Sequence, residues 1–375
     1  MDIVKRCWVE IDLNQIKNNY LIYKSYLLNN QQVMAVVKAD AYGHGDVEVA
    51  YTLSDLGVEN FAVSNIDEAE KIRKSGIKGQ VLILGYTPEE SIKRVFENDI
   101  TQAVLSEEYA DMLVKTGINV KCQFAIDTGM NRIGIDADDP ELCSQLIHKY
   151  SSLLTVTGLF THLCTADTDD SDSVKFTEKQ IGRFIDVKNQ IRDLDLPYIH
   201  CLNSAGGLWH NRPEISNLVR LGIILYGLKP DFCNDLPDGI HPALCWKSVV
   251  SMVKTIKKGE SVSYGRTFIA DHDMRIATIP TGYADGYNRL LSNKGYVLIN
   301  GQQANIVGRV CMDQFMVDVS NINNIQMGTE VILLGSSGKL KIDADDMAQM
   351  IGSIGYEVVC DISKRVERKY IRGDT

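Results

Sequence analysis

The chain has 375 residues, 45% of them hydrophobic, and a formal net charge of −10, a length that suggests two domains, or one barrel with an addition, with a core that needs no disulfide or metal staple. The acidic balance, with no basic patch above it, excludes nucleic acid as a partner, and nine cysteines without a CxxC pair and seven histidines without metal-ligand spacing argue for a reducing compartment and against a zinc site. Met1–Arg6 lacks the apolar stretch of a signal peptide, and no run approaches the roughly 18 apolar residues of a membrane span, so the expectation is a cytoplasmic protein, or the cytoplasmic domain of a membrane-bound one.

In chain order, Cys7–Asp12 reads as a strand with no obvious partner nearby in the chain, so it is expected to pair with a second domain. Eight further strands are predicted at Val33–Lys38, Phe61–Ser64, Val81–Leu84, Gln102–Leu105, Lys121–Ile126, Thr155–Thr161, Tyr198–Cys201 and Leu218–Arg220. Amphipathic stretches lie between them, such as Asp67–Lys74, stopped at Gly76, and another beginning at Thr177. Strand–helix alternation implies a parallel sheet, and eight strands are the number that closes a TIM-type (β/α)8 barrel. An open doubly wound sheet is the competing architecture; polar groups following many strands, rather than clustering in a few loops, favour the barrel. Asp231–Pro242 reads as a linker. Beyond it, alternating segments at Trp246–Ile256, Arg275–Pro280, Tyr296–Ile299, Asn305–Val310, Met316–Val319 and Glu330–Leu334, with one helix at Ala344–Ile351, predict a mainly β C-terminal domain. The expected division is residues 1–11 packing with the C-terminal domain, 12–235 as the barrel and 236–375 as the β-rich domain.

Lys38 closes the apolar run Val33–Val37 and opens into Ala39-Asp40-Ala41-Tyr42-Gly43-His44-Gly45. A lysine there is partly desolvated, which lowers its pKa and makes it a nucleophile toward a carbonyl, most simply that of pyridoxal phosphate. By itself the position better fits a lysine whose stem packs on the sheet while its head reaches water. A barrel places its chemistry at the carboxyl ends of its strands. The groups falling there are Lys38 with Tyr42, Arg132, His162, Asn203 with Ser204, and Arg220: a cationic and polar rim suited to an anionic, phosphorylated ligand. Ser204–Gly207 and Arg220–Ile223 offer hydroxyl and backbone N–H groups on small residues, which can cradle a phosphate without a P-loop.

Val36-Val37-Lys38-Ala39-Asp40-Ala41-Tyr42-Gly43-His44-Gly45 resembles the cofactor-lysine signature of the alanine racemase family. The likeness recurs in order at Asp127–Gly134, Gly158–His162, Asn203–Ala205, Val219–Gly227, Ser263–Phe268, Gly282–Tyr287, Gly308–Gln314 and Gly355–Glu357. It implies a pyridoxal 5'-phosphate barrel plus a β-domain, a homodimer with composite sites, and interconversion of L- and D-alanine to supply D-amino acid for cell-wall precursors. Two opposed bases suit such a reaction. The resemblance assigns Lys38 to one face and Tyr264, from the partner subunit, to the other. His162 would contact Tyr264 with Arg220 behind it, and cationic neighbours would lower the phenol's pKa. Arg220, oriented by His200, would face the pyridine nitrogen; a guanidinium keeps its proton, so the ring stays a weak electron sink. Cofactor contacts would come from Tyr42, His162, Asn203, Ser204, Gly222, Ile223 and Tyr356. Met312 N–H and Arg132 would meet the substrate carboxylate, Tyr356 would bound its side chain, and Tyr283, Asp285 and Asp313 would line the entry path.

Two departures stand out. Ala125 occupies the place of a lysine that many relatives carbamylate to orient the active-site arginine, so Arg132 needs another anionic partner, such as chloride or a carboxylate. Asn288 replaces a proline, which is expected to loosen that loop. Serine, as in the racemase domain of membrane-bound vancomycin-resistance proteins, is the alternative substrate, since an apolar pocket rejects one hydroxyl poorly. A decarboxylase on the same barrel, using a group such as Cys311, and a non-enzymatic pyridoxal-phosphate-binding barrel are the readings from other classes.

Overall fold

The computed structural model describes residues 5–231 and 234–372; residues 1–4 of the N-terminal segment, 232–233 of the linker and the last three residues of the C-terminal domain lie outside them. All eight barrel strands are present: Gln32–Val36, Asn60–Val63, Gln80–Ile83, Thr101–Val104, Lys121–Asp127, Thr155–Phe160, Tyr198–His200 and Leu218–Leu221. They form one parallel sheet in which Leu218–Leu221 returns beside Gln32–Val36. The seam between Tyr198–His200 and Leu218–Leu221 closes through a Leu202–Val219 bridge and the bond from Arg220 N–H to Leu202 O at 3.0 Å. The apolar runs follow from burial on both faces: Met34, Ala35, Phe61, Ala62, Val81 and Leu82 are all solvent-inaccessible.

Two local expectations move. The strand before Lys38 ends at Val36, because Lys38–Tyr42 coils into a left-handed turn, with φ near 53° at Ala39, Ala41 and Tyr42. The helix expected from Thr177 starts at Ser171, where Asp170 accepts from the N–H groups of Asp172 and Ser173 and caps it.

The remaining chain is mainly β. Cys7–Asp12 pairs antiparallel with Leu244–Val249 and parallel with Glu367–Ile371, tying the first strand to the last. Trp246–Ile256 resolves into two strands in different sheets, Leu244–Val249 and Met252–Ile256. No strand spans Asn305–Val310; the pairing strand is Gln302–Asn305, and Gly308, at φ 83°, turns the chain away. Glu367–Ile371 is a strand that its charged residues conceal in the sequence. The Ala344–Ile351 helix is as expected. No described helix is long and apolar enough to cross a membrane.

Candidate active site

A cavity of about 840 Å³ opens at the carboxyl ends of the barrel strands. Lys38, Tyr42, Arg132, His162, Asn203, Ser204, Arg220, Gly222, Ile223 and Tyr356 all line it. Nine come from loops or strand ends of the barrel; Tyr356 comes from the helix Gly355–Cys360, which packs against the Lys38 turn.

The Lys38 amine is half-buried, and its pKa is lowered first by burial and then by the charge of Arg132. Four consecutive non-glycine residues at positive φ, Ala39–Tyr42, carry a cost of roughly 1–2 kcal/mol each, so the surroundings must hold them. Glu68 accepts from Ala39 N–H at 2.9 Å, Lys71 bridges Asp40 and Asp46, and His44 Nδ1 meets the Tyr42 carbonyl at 2.9 Å.

Arg220 is 4% exposed, and both of its terminal nitrogens are engaged. It donates to the carbonyls of Thr161 and His200 at 2.6 and 3.0 Å, and to Nδ1 of His200 and of His162 at 2.8 and 3.2 Å. Because guanidinium can only donate, both imidazoles must accept at Nδ1 and carry their proton on Nε2. His200 then donates from Nε2 to Gln123 Oε1 at 2.8 Å. Burial, then Arg220's charge, push both histidines well below their ordinary range, so both are neutral. Burial lowers Arg220 itself to about 10, which leaves it charged at neutral pH.

Tyr42, Ser204 and Gly222 converge. Ser204 Oγ accepts from Gly222 N–H at 2.8 Å, and a Cβ placed on Gly222 would lie 3.0 Å from the Tyr42 hydroxyl and 3.6 Å from Ser204 Oγ. Burial pushes the Tyr42 and Tyr356 phenols upward, so both remain O–H donors. Asn203 lines the cavity, but its amide is spent on Gly206 N–H and the Leu163 carbonyl. Arg132 is exposed and makes no hydrogen bond or ion pair among the described residues. Beneath it Ala125 packs with Ala103, Phe160 and Ile133, an apolar wall with no carboxylate.

Tyr264, Met312, Tyr283 and Asp313 are absent from the cavity lining. Tyr264 is 71% exposed, on a short turn between Ser261–Val262 and Phe268–Ile269. Ser263 Oγ bonds the Arg309 carbonyl, while Tyr283 and Ala284 N–H bond the carbonyls of Cys311 and Met312, so these segments share one face of the β-domain. Asp285 does not line an entry path: it is buried between Arg6 and Arg365, and Arg365 also holds Asp313. Asn288 keeps a proline-like backbone angle. Its φ is −58°, close to proline's own, and its side chain caps Leu290 N–H at 2.9 Å.

The N-terminal-domain model of alanine racemase matches residues 11–230, and the C-terminal-domain model matches 243–370. The chain belongs to the alanine racemase family. An alanine racemase from Clostridium perfringens strain SM101 is 42% identical, covering 99% of this chain and 97% of that one. The solved alanine racemase of Clostridium difficile 630 superposes with a TM-score of 0.91 at 35% identity, covering 99% and 97% of the two chains. A histidine racemase from Leuconostoc mesenteroides has a TM-score of 0.87 at 30% identity, covering 98% of each.

The alanine racemase family uses pyridoxal phosphate, and the residues present fit it. A depressed lysine amine, a cradle that a single Cβ at Gly222 would crowd, and an arginine that stays charged at neutral pH share one cavity. Three residues escaped the sequence reading. Gln123 accepts the hydrogen bond from His200 Nε2, Cys360 lines the cavity, and Glu68 grips the Lys38 turn. Gln123 had a signal, being a polar residue inside an apolar strand; Glu68 had none, lying among other charged residues of the amphipathic stretch Asp67–Lys74.

Proposed function

We propose that this racemase interconverts L- and D-alanine as a homodimer with pyridoxal 5'-phosphate, in the cytoplasm, supplying D-alanine for cell-wall precursors. The observation that carries the reading is the convergence of Lys38, the Tyr42–Ser204–Gly222 cradle and Arg220 in one cavity. The barrel, residues 12–235, holds most of the cofactor with Tyr356 added from the second domain, and residues 236–375, with the N-terminal strand, present the second base. Bound pyridoxal phosphate supplies the electron sink that acidifies the substrate's α C–H bond. Lys38 anchors it and carries the proton on one face. Tyr264 of the partner subunit carries it on the other, next to His162, whose Nε2–H is free to donate because Nδ1 is committed to Arg220. Tyr42, Ser204, Gly222, Ile223 and Tyr356 hold the phosphate, with Asn203 shaping the loop. Arg132 and Met312 N–H of the partner subunit bind the substrate carboxylate. Tyr283 and Asp313 bound the entry path. Tyr356 limits the side-chain space, which favours a methyl group.

Mixing Lys38→Ala with Tyr264→Phe protein tests the arrangement. Each homodimer has two damaged sites, whereas a mixed dimer concentrates both defects in one site and leaves the other intact. Subunit exchange should therefore restore roughly a quarter of wild-type activity. A mixture as inactive as its parts would reject the composite site. Turnover of L-alanine, L-serine and L-histidine side by side settles the substrate: L-serine kcat/KM equal to or above that of L-alanine would overturn the assignment.

A further inference from the structure

Glu68 lies outside the cavity, yet it is the anionic side chain bonded closest in the chain to Lys38. Its helix, Ile66–Lys74, begins with Asn65 as cap: Asn65 Oδ1 accepts from Glu68 N–H at 3.0 Å. A glutamate three residues after such a cap ordinarily reaches back to the cap's own N–H. Here it does not. Oε2 accepts from Ser64 N–H at 2.7 Å, one residue earlier, and Oε1 crosses to Ala39 N–H at 2.9 Å. One carboxylate thus ties the end of the strand Asn60–Val63 to the residue after Lys38. Lys71, one turn along the same helix, clamps the far side of the turn through Asp40 and Asp46.

The turn needs this grip because its left-handed backbone is unfavourable for alanine, aspartate and tyrosine alike. If Ala39 relaxed toward an ordinary φ, the direction of the Lys38 side chain would swing, and the amine would leave the face it serves. Charge adds to geometry. Arg132 and Arg220 disfavour an ammonium at Lys38, whereas Glu68 favours it. The carboxylate therefore opposes part of the lowering of the amine's pKa.

We propose that Glu68 is a positioning residue for the Lys38 face of the reaction, holding the left-handed turn through Ala39 N–H and Ser64 N–H so that the amine stays aimed at one side of the substrate. The proposal rests on Lys38 and Tyr264 serving opposite faces. Glu68→Gln removes the charge and turns an amide N–H toward a backbone N–H; Glu68→Asp keeps the charge and shortens the reach. Solvent-deuterium incorporation measured from each enantiomer should slow roughly tenfold to a hundredfold on the Lys38 face in both variants, with the Tyr264 face nearly unchanged. In cofactor-free protein, the pH midpoint for trinitrophenylation of Lys38 should fall in Glu68→Gln and stay near wild type in Glu68→Asp. Equal slowing on both faces, or a Lys38 midpoint indifferent to Glu68→Gln, would overturn the proposal. Should Glu68→Gln not fold, Glu68→Asp carries the face-specific test alone. A Tyr264→Phe variant slowed equally on both faces would instead sink the two-base reading, which the Lys38 titration does not depend on.

Discussion

The barrel mouth and the exposed face of the β-domain hold the two halves of one proposed reaction in opposite physical states. At the mouth, Arg220 and Ser204 are buried and held by named partners, and the Arg220–His200–Gln123 chain fixes the His200 proton. On the β-domain face, Tyr264 stands in solvent on a turn in which Ser263, Gly265 and Arg266 all have positive φ, and its hydroxyl makes no hydrogen bond among the described residues. One half is preorganised within a single chain; the other is shaped but unfinished, as expected of a surface that a second copy completes.

Substitutions on the two sides should therefore fail differently. The largest effect belongs to Lys38→Ala, which should abolish the visible absorbance of bound cofactor and lower kcat/KM by at least the roughly 10²–10⁴-fold that a positioned proton carrier contributes; a variant that keeps the absorbance would break the assignment. Tyr264→Phe should keep the absorbance and cofactor affinity, yet slow proton exchange on one face by a similar roughly 10²–10⁴-fold, read with each enantiomer in deuterated solvent.

His44, buried against Tyr226 behind the mouth, provides a pH test of the preorganised side. Burial pushes it down to about 4 from its ordinary 6.5. The unfolded chain thus binds this proton more tightly than the folded one. The stabilisation is complete above pH 6.5, is lost as pH falls through about 4, and amounts to roughly 3 kcal/mol. Urea midpoints followed from neutral to acid pH should fall less steeply in His44→Phe than in wild type. Gly222→Ala, whose Cβ would crowd the Tyr42 hydroxyl at 3.0 Å, should raise the Kd for pyridoxal phosphate roughly tenfold, about 1.4 kcal/mol by equilibrium dialysis. The smallest effect is expected on the other side. Asn288→Pro loses a cap worth about 1 kcal/mol and gains a similar amount from a restricted unfolded chain, so its Tm should barely move; a large loss would show that the cap matters more than the φ.

Much of this was legible before any fold was known, for reasons that are local. Eight apolar runs marked the barrel strands because burial on both faces leaves no polar alternation. The ordered motifs around Lys38, Arg220 and Tyr264 marked the family, and the polar residues after strands marked the mouth. What stayed hidden depends on contacts between distant segments. Asp285 looked like an entry residue until Arg6 and Arg365, some 80 or more positions away on either side, closed over it. Asn288 looked like a loosened proline until its side chain was seen to cap the next turn. Glu68 sat in an amphipathic stretch with nothing to single it out; pairing of the first two barrel strands brings it to Ala39, 29 residues earlier in the chain. The sequence by itself determined which groups the protein carries and which elements bear them, because strand and helix periodicity and turn chemistry act over a few residues. Only the tertiary structure decided which groups share a cavity and which wait outside it, because that depends on how the parallel strands close and how the last strand pairs with the first.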